Sequence, residues 1–336
     1  MMKKFLTLFA ILLFVVVMAC DTEEDIPPDN NNEDLGFEVT VCDSSRACLG
    51  TTFFVYEYVD PAILYEVDMN GNPVWEYELP ASMGAYQTEA ELLSDDSILV
   101  INKSVGLLII DRDGNVLWQF NDPKVDHDAD LLPNGNIIYI YGMGDAKQDT
   151  IVKEITIGGE RVWSWCAFDY FNYPPYSEID PATEGGWTHI NSVTRLSNGN
   201  TLISMRNFDM IVIVDTSGVP IDTIIDVFKA PHDPVFIDDD RILVANHETP
   251  SMHSAVRYNT ATDVIEWRFD FTDAEDLPVR DVNLLPNGNI LITSAKRLVE
   301  VVPSTNEIVW QLELTDSLLP IEGPSKGFYK TERLTD

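Results

Sequence analysis

One five-residue phrase, written three times, limits this chain more than anything else in it: Leu132-Pro-Asn-Gly-Asn136, Leu196-Ser-Asn-Gly-Asn200 and Leu285-Pro-Asn-Gly-Asn289. Weaker copies are Leu93-Ser-Asp-Asp-Ser97 and Ile237-Asp-Asp-Asp-Arg241. Apolar alternating runs flank each copy. Asn-Gly between such runs predicts a hairpin, because a type I′ turn needs positive φ at both central residues. A second phrase sets Trp four residues after a turn: Gly71…Trp75, Gly114…Trp118, Gly159…Trp163, Asp263…Trp267 and Asn306…Trp310. Successive Trp lie 43, 45, 104 and 43 residues apart. The long interval holds one more copy, Gly218-Val-Pro-Ile-Asp222, with Asp in place of Trp, and an insertion over 167–186 rich in Tyr and Pro.

Each unit therefore reads as four antiparallel strands in about 40–50 residues, repeated radially, which is the pattern of a β-propeller. A single blade cannot bury both of its faces, so neighbours must stack on it. The copies predict six blades near 51–80, 88–122, 125–166, 187–228, 230–271 and 278–314. Blade one has room for only three strands between Thr51 and Leu79. The tail Tyr329–Asp336 has the length and pattern of the fourth, so it is expected to return and close the ring. The expected fold is all-β, a six-bladed propeller occupying 37–336.

Ahead of the repeats, Lys3 and Lys4 precede the apolar run Phe5–Met18, which ends in Val17-Met18-Ala19-Cys20. A charged start, a short apolar stretch and small residues before the cleavage point describe a secretory signal, too short for a typical spanning helix. Cys directly after them has the form of a bacterial lipobox. Residues 1–19 are thus expected to be a lipoprotein signal peptide, and Cys20 the lipidated first residue of the mature chain. Residues 20–36 continue as DTEEDIPPDNNNEDLG after the Cys, an acidic stretch too poor in apolar side chains to order itself, and read as a tether. The protein is expected in the cell envelope, facing the periplasm or the cell surface, with its membrane contact confined to the lipid.

The chain carries 21 Lys+Arg against 56 Asp+Glu, a net charge of −35. Such a field repels nucleic-acid phosphates and anionic lipid headgroups, so neither is an expected partner. Cys42 and Cys48, six residues apart in an exported chain, are expected to form a small local disulfide. Cys166 lies in an apolar stretch and reads as a buried small hydrophobe. No Cys-x-x-Cys pair or Cys/His cluster suggests a metal, and no cofactor is implied.

Against that acidic background the cations and imidazoles gather. The first strand of each propeller blade lines the central channel, with alternate residues pointing one way. Seven residues before each turn Asn, or its Asp replacement, stand Thr88, His127, Asn191, His232, Arg280 and, through the tail, Tyr329. His189 precedes Asn191 by two and shares its side of the strand. Lys103, Gly142, Arg206, His247 and Ala295 fall at the far end of the second strands, which approach the same mouth. Four of the chain's five His, with Arg206, Arg280 and Lys103, are therefore expected at one end of the axis. An acidic protein that collects its cations in one pocket is built to hold an anion there. Arg supplies a planar fork for an oxyanion and Lys a point charge. His253 falls outside the repeat positions, in an expected loop.

Trp187-Thr-His189-Ile-Asn191-Ser, then Leu202-Ile-Ser-Met-Arg206-Asn, then His232-Asp233 and Asn246, resemble the bacterial arylsulfate sulfotransferases. These are six-bladed propellers that move a sulfuryl group between phenols without a nucleotide donor. The resemblance covers roughly 51–336 and implies that His232 takes the sulfuryl group, while His127, His189 and Arg206 bind and polarise the sulfate. Asn191, His247, Arg280, Lys103 and Tyr329 are the expected substrate-binding set, and an aryl sulfate and a phenol the expected partners. Pro231 stands where the family's motif tends to carry Gln. Asp233 or Asn191 is a candidate for setting a tautomer. Tyr170, Phe171, Tyr173, Tyr176 and Trp187 either stack on the aryl ring or pack as a lid. A ligand-binding propeller without turnover, and an aryl sulfate hydrolase, use the same features and remain open.

Overall fold

A computed structural model describes residues 35–335, apart from 58–60, 84–86, 95, 143–144, 183 and 316–326. The expected signal peptide, Cys20 and most of the acidic tether lie outside the described residues. Among the described residues no helix is long and apolar enough to cross a membrane.

Six antiparallel sheets make the six blades. Blade one joins the C-terminal strand Thr331–Leu334 to three strands between Thr51 and Glu78. Its register runs Thr51↔Leu334 to Phe54↔Thr331, so the tail closes the ring as its innermost strand. The other inner strands are Thr88–Leu92, Val125–Leu131, Ile190–Arg195, His232–Phe236 and Val279–Leu284. Blade six alone has five strands, because Phe37–Cys42 pairs antiparallel with Glu307–Leu314 on its outer edge. That strand lies outside every repeat, and its only sequence signal is the alternation in Phe-Glu-Val-Thr-Val-Cys.

The repeated phrases have physical jobs. In Leu132–Asn136, Gly135 N–H donates to Leu132 O at 2.8 Å and Leu132 N–H to Asn136 O at 2.8 Å. Of the Asn-Gly pair only Gly135 has positive φ, 80°. The turn is thus type I with a glycine bulge, rather than the type I′ turn the dipeptide suggests. Pro133 explains the difference in this copy: its ring fixes φ near −65°, which suits the first central position of type I. The Trp phrase ties neighbouring blades together. Indole N–H groups reach the outer turn of the next blade from Trp75 to Arg112 O at 2.8 Å, from Trp118 to Ile157 O at 2.7 Å and from Trp165 to Gly218 O at 2.9 Å. Trp267 reaches Asn306 Oδ1 at 2.7 Å, and Trp310 completes the circle on Met69 O at 3.0 Å. In blade three the link falls to Trp165, while the repeat-equivalent Trp163 carries the Arg195 guanidinium 4.7 Å above its ring.

The expected Cys42–Cys48 bridge is absent. Cys48 carries a free, buried thiol and packs in the cluster beneath blades six and one, its backbone N–H donating to Glu300 Oε1 at 2.6 Å. Cys42 instead ends the added outer strand, opposite Trp310.

Candidate active site

The inner strands and the strand ends beside them enclose a cavity of about 910 Å³ at one mouth of the axis. His127, His189, Arg206, His232, His247, Arg280 and Tyr329 all line it, as does His253. Lys103 and Asn191 do not. Lys103 lies behind His127, with Nζ 3.0 Å from Asp126 Oδ1 and 3.4 Å from His127 Nε2. Asn191 turns its Nδ2 to Pro231 O at 3.0 Å, and Ser204 Oγ donates to the same carbonyl at 2.8 Å. Both clamp the backbone immediately before His232. The lining is not purely cationic, for Arg206 pairs with Glu184 at 3.2 Å and Lys229 with Asp209 at 2.8 Å.

Backbone groups set the tautomer of most of the imidazoles. His232 Nδ1 lies 3.0 Å from Ala230 O and therefore carries the proton, leaving an Nε2 lone pair at the cavity wall. The expectation that Asp233 or Asn191 would set this tautomer fails, because a carbonyl two residues upstream does so. His189 Nδ1 lies 2.6 Å from Glu184 O, so its proton is there too. Its Nε2 then accepts from His127 Nε2 at 3.2 Å, and His127 Nδ1 accepts from the Tyr329 hydroxyl at 3.1 Å. Tyr329, His127, His189 and the Glu184 carbonyl thus form one directional chain. On the other side, His247 Nε2 donates to Val279 O at 2.6 Å, and Val279 N–H donates to His253 Nδ1 at 3.2 Å. His232, His247 and His253 stack, with centroids 4.0 and 3.7 Å apart.

All five imidazoles are neutral at pH 7. Burial holds His127 down at about 3 and His253 at about 4, and pushes His232 and His247 well below the usual value, with His189 lowered as well. Neighbouring imidazoles, Arg206 and Arg280 add to these shifts. The permanent cations of the lining are the guanidinium groups of Arg206 and Arg280 and the Lys229 ammonium. Arg280 donates to Phe328 O at 2.6 Å and lies 4.7 Å over the Tyr329 ring.

The backbone is bent to present these groups. His189, Asp209, Ala230 and Asp233 all have positive φ, a conformation that persists only where surrounding bonds over-determine it. Asp145 supplies some of them, accepting from Thr188 N–H and His189 N–H, both at 3.2 Å through Oδ1. Gly185 is required by close approach, since a Cβ there would fall 2.5 Å from His189 Nδ1.

One residue further along the inner strands lies a second layer. Lys330 Nζ is 2.7 Å from Asp128, 3.5 Å from Glu89 and 3.6 Å from Asp233. Burial raises the carboxyl groups of Glu89, Asp130 and Asp281, the last to about 8.

Sequence reasoning missed His253. It sits on the third strand of blade five, Met252–Asn259, buried to 7% exposure. The signal lay in symmetry: Thr249 pairs with Met252 across the turn, which sets His253 beside His247 on the extended hairpin. The insertion aromatics do not line the cavity. Phe171 belongs to the core between blades three and four, with Tyr170, Tyr176 and Trp187 packed on it, while Tyr173 is 54% exposed.

A solved structure of a protein of unknown function from Bacteroides caccae is similar to 83% of this chain and covers 98% of its own, at 18% identity and a TM-score of 0.55. Catalytically inactive virginiamycin B lyase from Staphylococcus aureus, with quinupristin, has 14% identity over 81% of this chain and 87% of its own, at a TM-score of 0.49. The first of these likenesses is one of fold. No curated protein matches the chain. The arylsulfotransferase (ASST) family model matches residues 38–225, more than half of the chain, from the added outer strand through the whole of blade four with His127, His189 and Arg206, and the chain belongs to that family.

Proposed function

We propose that this chain transfers a sulfuryl group from an aryl sulfate to a phenol through a covalent intermediate on His232 Nε2. The carrying observation is that the His232 Nδ1 proton is held by Ala230 O, leaving an Nε2 lone pair in a cavity shared with two guanidinium groups. The lone pair attacks sulfur in line, the N–S bond forms, and the S–O bond to the aryl group breaks with its electron pair leaving on the phenolate oxygen. An acceptor phenol, its proton passing to the departed phenolate or to solvent, then attacks the sulfo-imidazole, and the reverse displacement frees His232. Two displacements replace one hard one.

Charge gathers on the sulfate oxygens and the departing phenolate during each step, and Arg206 and Arg280 are the fixed charges that answer it. His127, neutral with its proton on Nε2, turns that N–H from His189 to the departing oxygen as a hydrogen-bond donor, and the phenolate leaves without taking the proton. A fixed donor of this kind contributes about 10²–10³-fold. Pro231, in place of Gln, is compatible with the role because its carbonyl is clamped by Asn191 and Ser204. The work is proposed to take place in the cell envelope, on a chain tethered through Cys20, as the N-terminal sequence supports.

The test incubates the protein with an aryl sulfate, with and without a phenol. Phenolate release is expected to be faster with the acceptor, and His232→Ala to abolish it. A wild-type protein carrying one SO3 on His232, seen by intact mass after quenching, supports the covalent step. Unchanged turnover in His232→Ala refutes it. Release of free sulfate independent of acceptor points instead to a hydrolase, and binding without turnover to a ligand-binding propeller.

A further inference from the structure

The third imidazole of the stack has no part in that chemistry, yet it is held as carefully as the first. Val279 grips two rings at once, its carbonyl taking the Nε2–H of His247 and its N–H filling the Nδ1 lone pair of His253. A neutral imidazole whose Nδ1 accepts must carry its proton on Nε2. Among the described residues none lies within hydrogen-bonding reach of that Nε2, although His253 is 7% exposed and lines the cavity. The ring is buried but this atom opens on the cavity, and a donor there that the protein gives no acceptor is placed to meet a ligand atom.

Position decides which ligand atom. His253 is separated from His232 by two stacking intervals, 4.0 and 3.7 Å. A sulfur bound in line with His232 Nε2, and the oxygen leaving it, fall beside the first ring rather than the third. The cavity lining includes the apolar Pro250, Ala274, Leu277 and Pro278, beside Glu248 and Thr249 of the His253 hairpin. The apolar members suit the body of an aromatic ring.

We propose that His253 Nε2–H forms a specificity subsite that selects aryl substrates carrying a second oxygen acceptor, such as a ring carbonyl or hydroxyl, away from the sulfated oxygen. The inference rests on reading the cavity as an aryl-sulfate site. His253 is neutral throughout the physiological range, since burial and the charges of Arg206 and Arg280 hold it at about 4, so the donor is always present. Selection by a hydrogen-bonding group of this kind works in one direction. A substrate without the acceptor leaves the donor unpaired, whereas a substrate with it satisfies a group that solvent reaches poorly.

Calorimetric titration of the full chain with 4-hydroxyacetophenone and with 4-ethylphenol tests this, since the two differ mainly in the carbonyl oxygen. The wild-type protein is expected to bind the ketone about three- to tenfold more tightly. His253→Phe, which keeps a ring on His247 but no N–H, is expected to bring the ratio near one. His253→Leu serves the same purpose should the Phe variant fail to fold, with circular dichroism as the check. A wild-type ratio near one, or a preference that persists in a folded variant, overturns the inference. A preference lost on substitution in a protein that transfers no sulfuryl group upholds the subsite and removes the proposed function. Failure to bind either phenol overturns both.

Discussion

Replacing Lys330 by Met isolates the layer under the cavity. The side chain keeps a fifth of its surface accessible, while Asp128 and Glu89 beside it are almost wholly buried. Burial alone lowers the ammonium's affinity for its proton, but Asp128, Asp233 and Glu89 more than offset this and raise it well above the usual value. Met preserves the length of the stem and removes only the charge. Leaving a buried charge without its partner costs about 3–5 kcal/mol. With an unfolding entropy of about 2.1 cal/mol/K per residue, some 300 ordered residues turn that into a fall in Tm of roughly 5–8 °C. The loss depends on pH in a definite sense. Carboxyl groups deprived of Lys330 hold protons in the folded state that they release on unfolding, so stability falls as pH rises. Scanning calorimetry should therefore show a larger deficit at pH 8 than at pH 5. A variant melting within about 1 °C of wild type at pH 8 refutes the argument, because the surrounding carboxyl groups are then already neutral.

Neutral His232 is the attacking species, and its proton affinity is lowered by burial, so formation of the sulfo-enzyme should hold its rate down through pH 6. An acid limb centred near 6.5, the ordinary imidazole value, in stopped-flow measurements argues against a buried nucleophile. Trp310→Phe removes the indole N–H that reaches Met69 O, and part of a fully buried side chain. It is expected to cost about 2–4 kcal/mol in urea denaturation, from an unpaired carbonyl and a cavity together. An effect below about 0.5 kcal/mol removes the seam between blades six and one as a strong point.

The fold was legible because the repeats carry the parts that cannot vary: a glycine in the turn between the inner strands, and an indole that bridges to the next blade. The turn type was misread because Asn-Gly alone does not reveal which residue takes positive φ, whereas Pro133 in front of it does. Gathering of His127, His189, His232, His247, Arg206 and Arg280 followed from register alone, since repeat-equivalent positions must share a rim. What register does not carry is the direction of a side chain at a bent backbone. Lys103 and Asn191 occupy repeat-equivalent positions, yet one backs His127 and the other clamps Pro231. The added strand Phe37–Cys42 was illegible for the opposite reason, belonging to no repeat and identified only by its partner. His253 escaped because blade five's hairpin is longer than its siblings, and counting from the repeat left its tip outside the alignment.

The chain closes its circle with one terminus and decorates it with the other. Thr331–Leu334 lies innermost in blade one, while Phe37–Cys42 lies outermost on the blade beside it. The outer strand is more than an addition to blade six, since Phe37 is buried edge-on against Phe54, Tyr56 and Tyr65 of blade one. Both termini therefore fasten the same junction, one by main-chain pairing inside blade one and the other by a ring wedged between blades six and one.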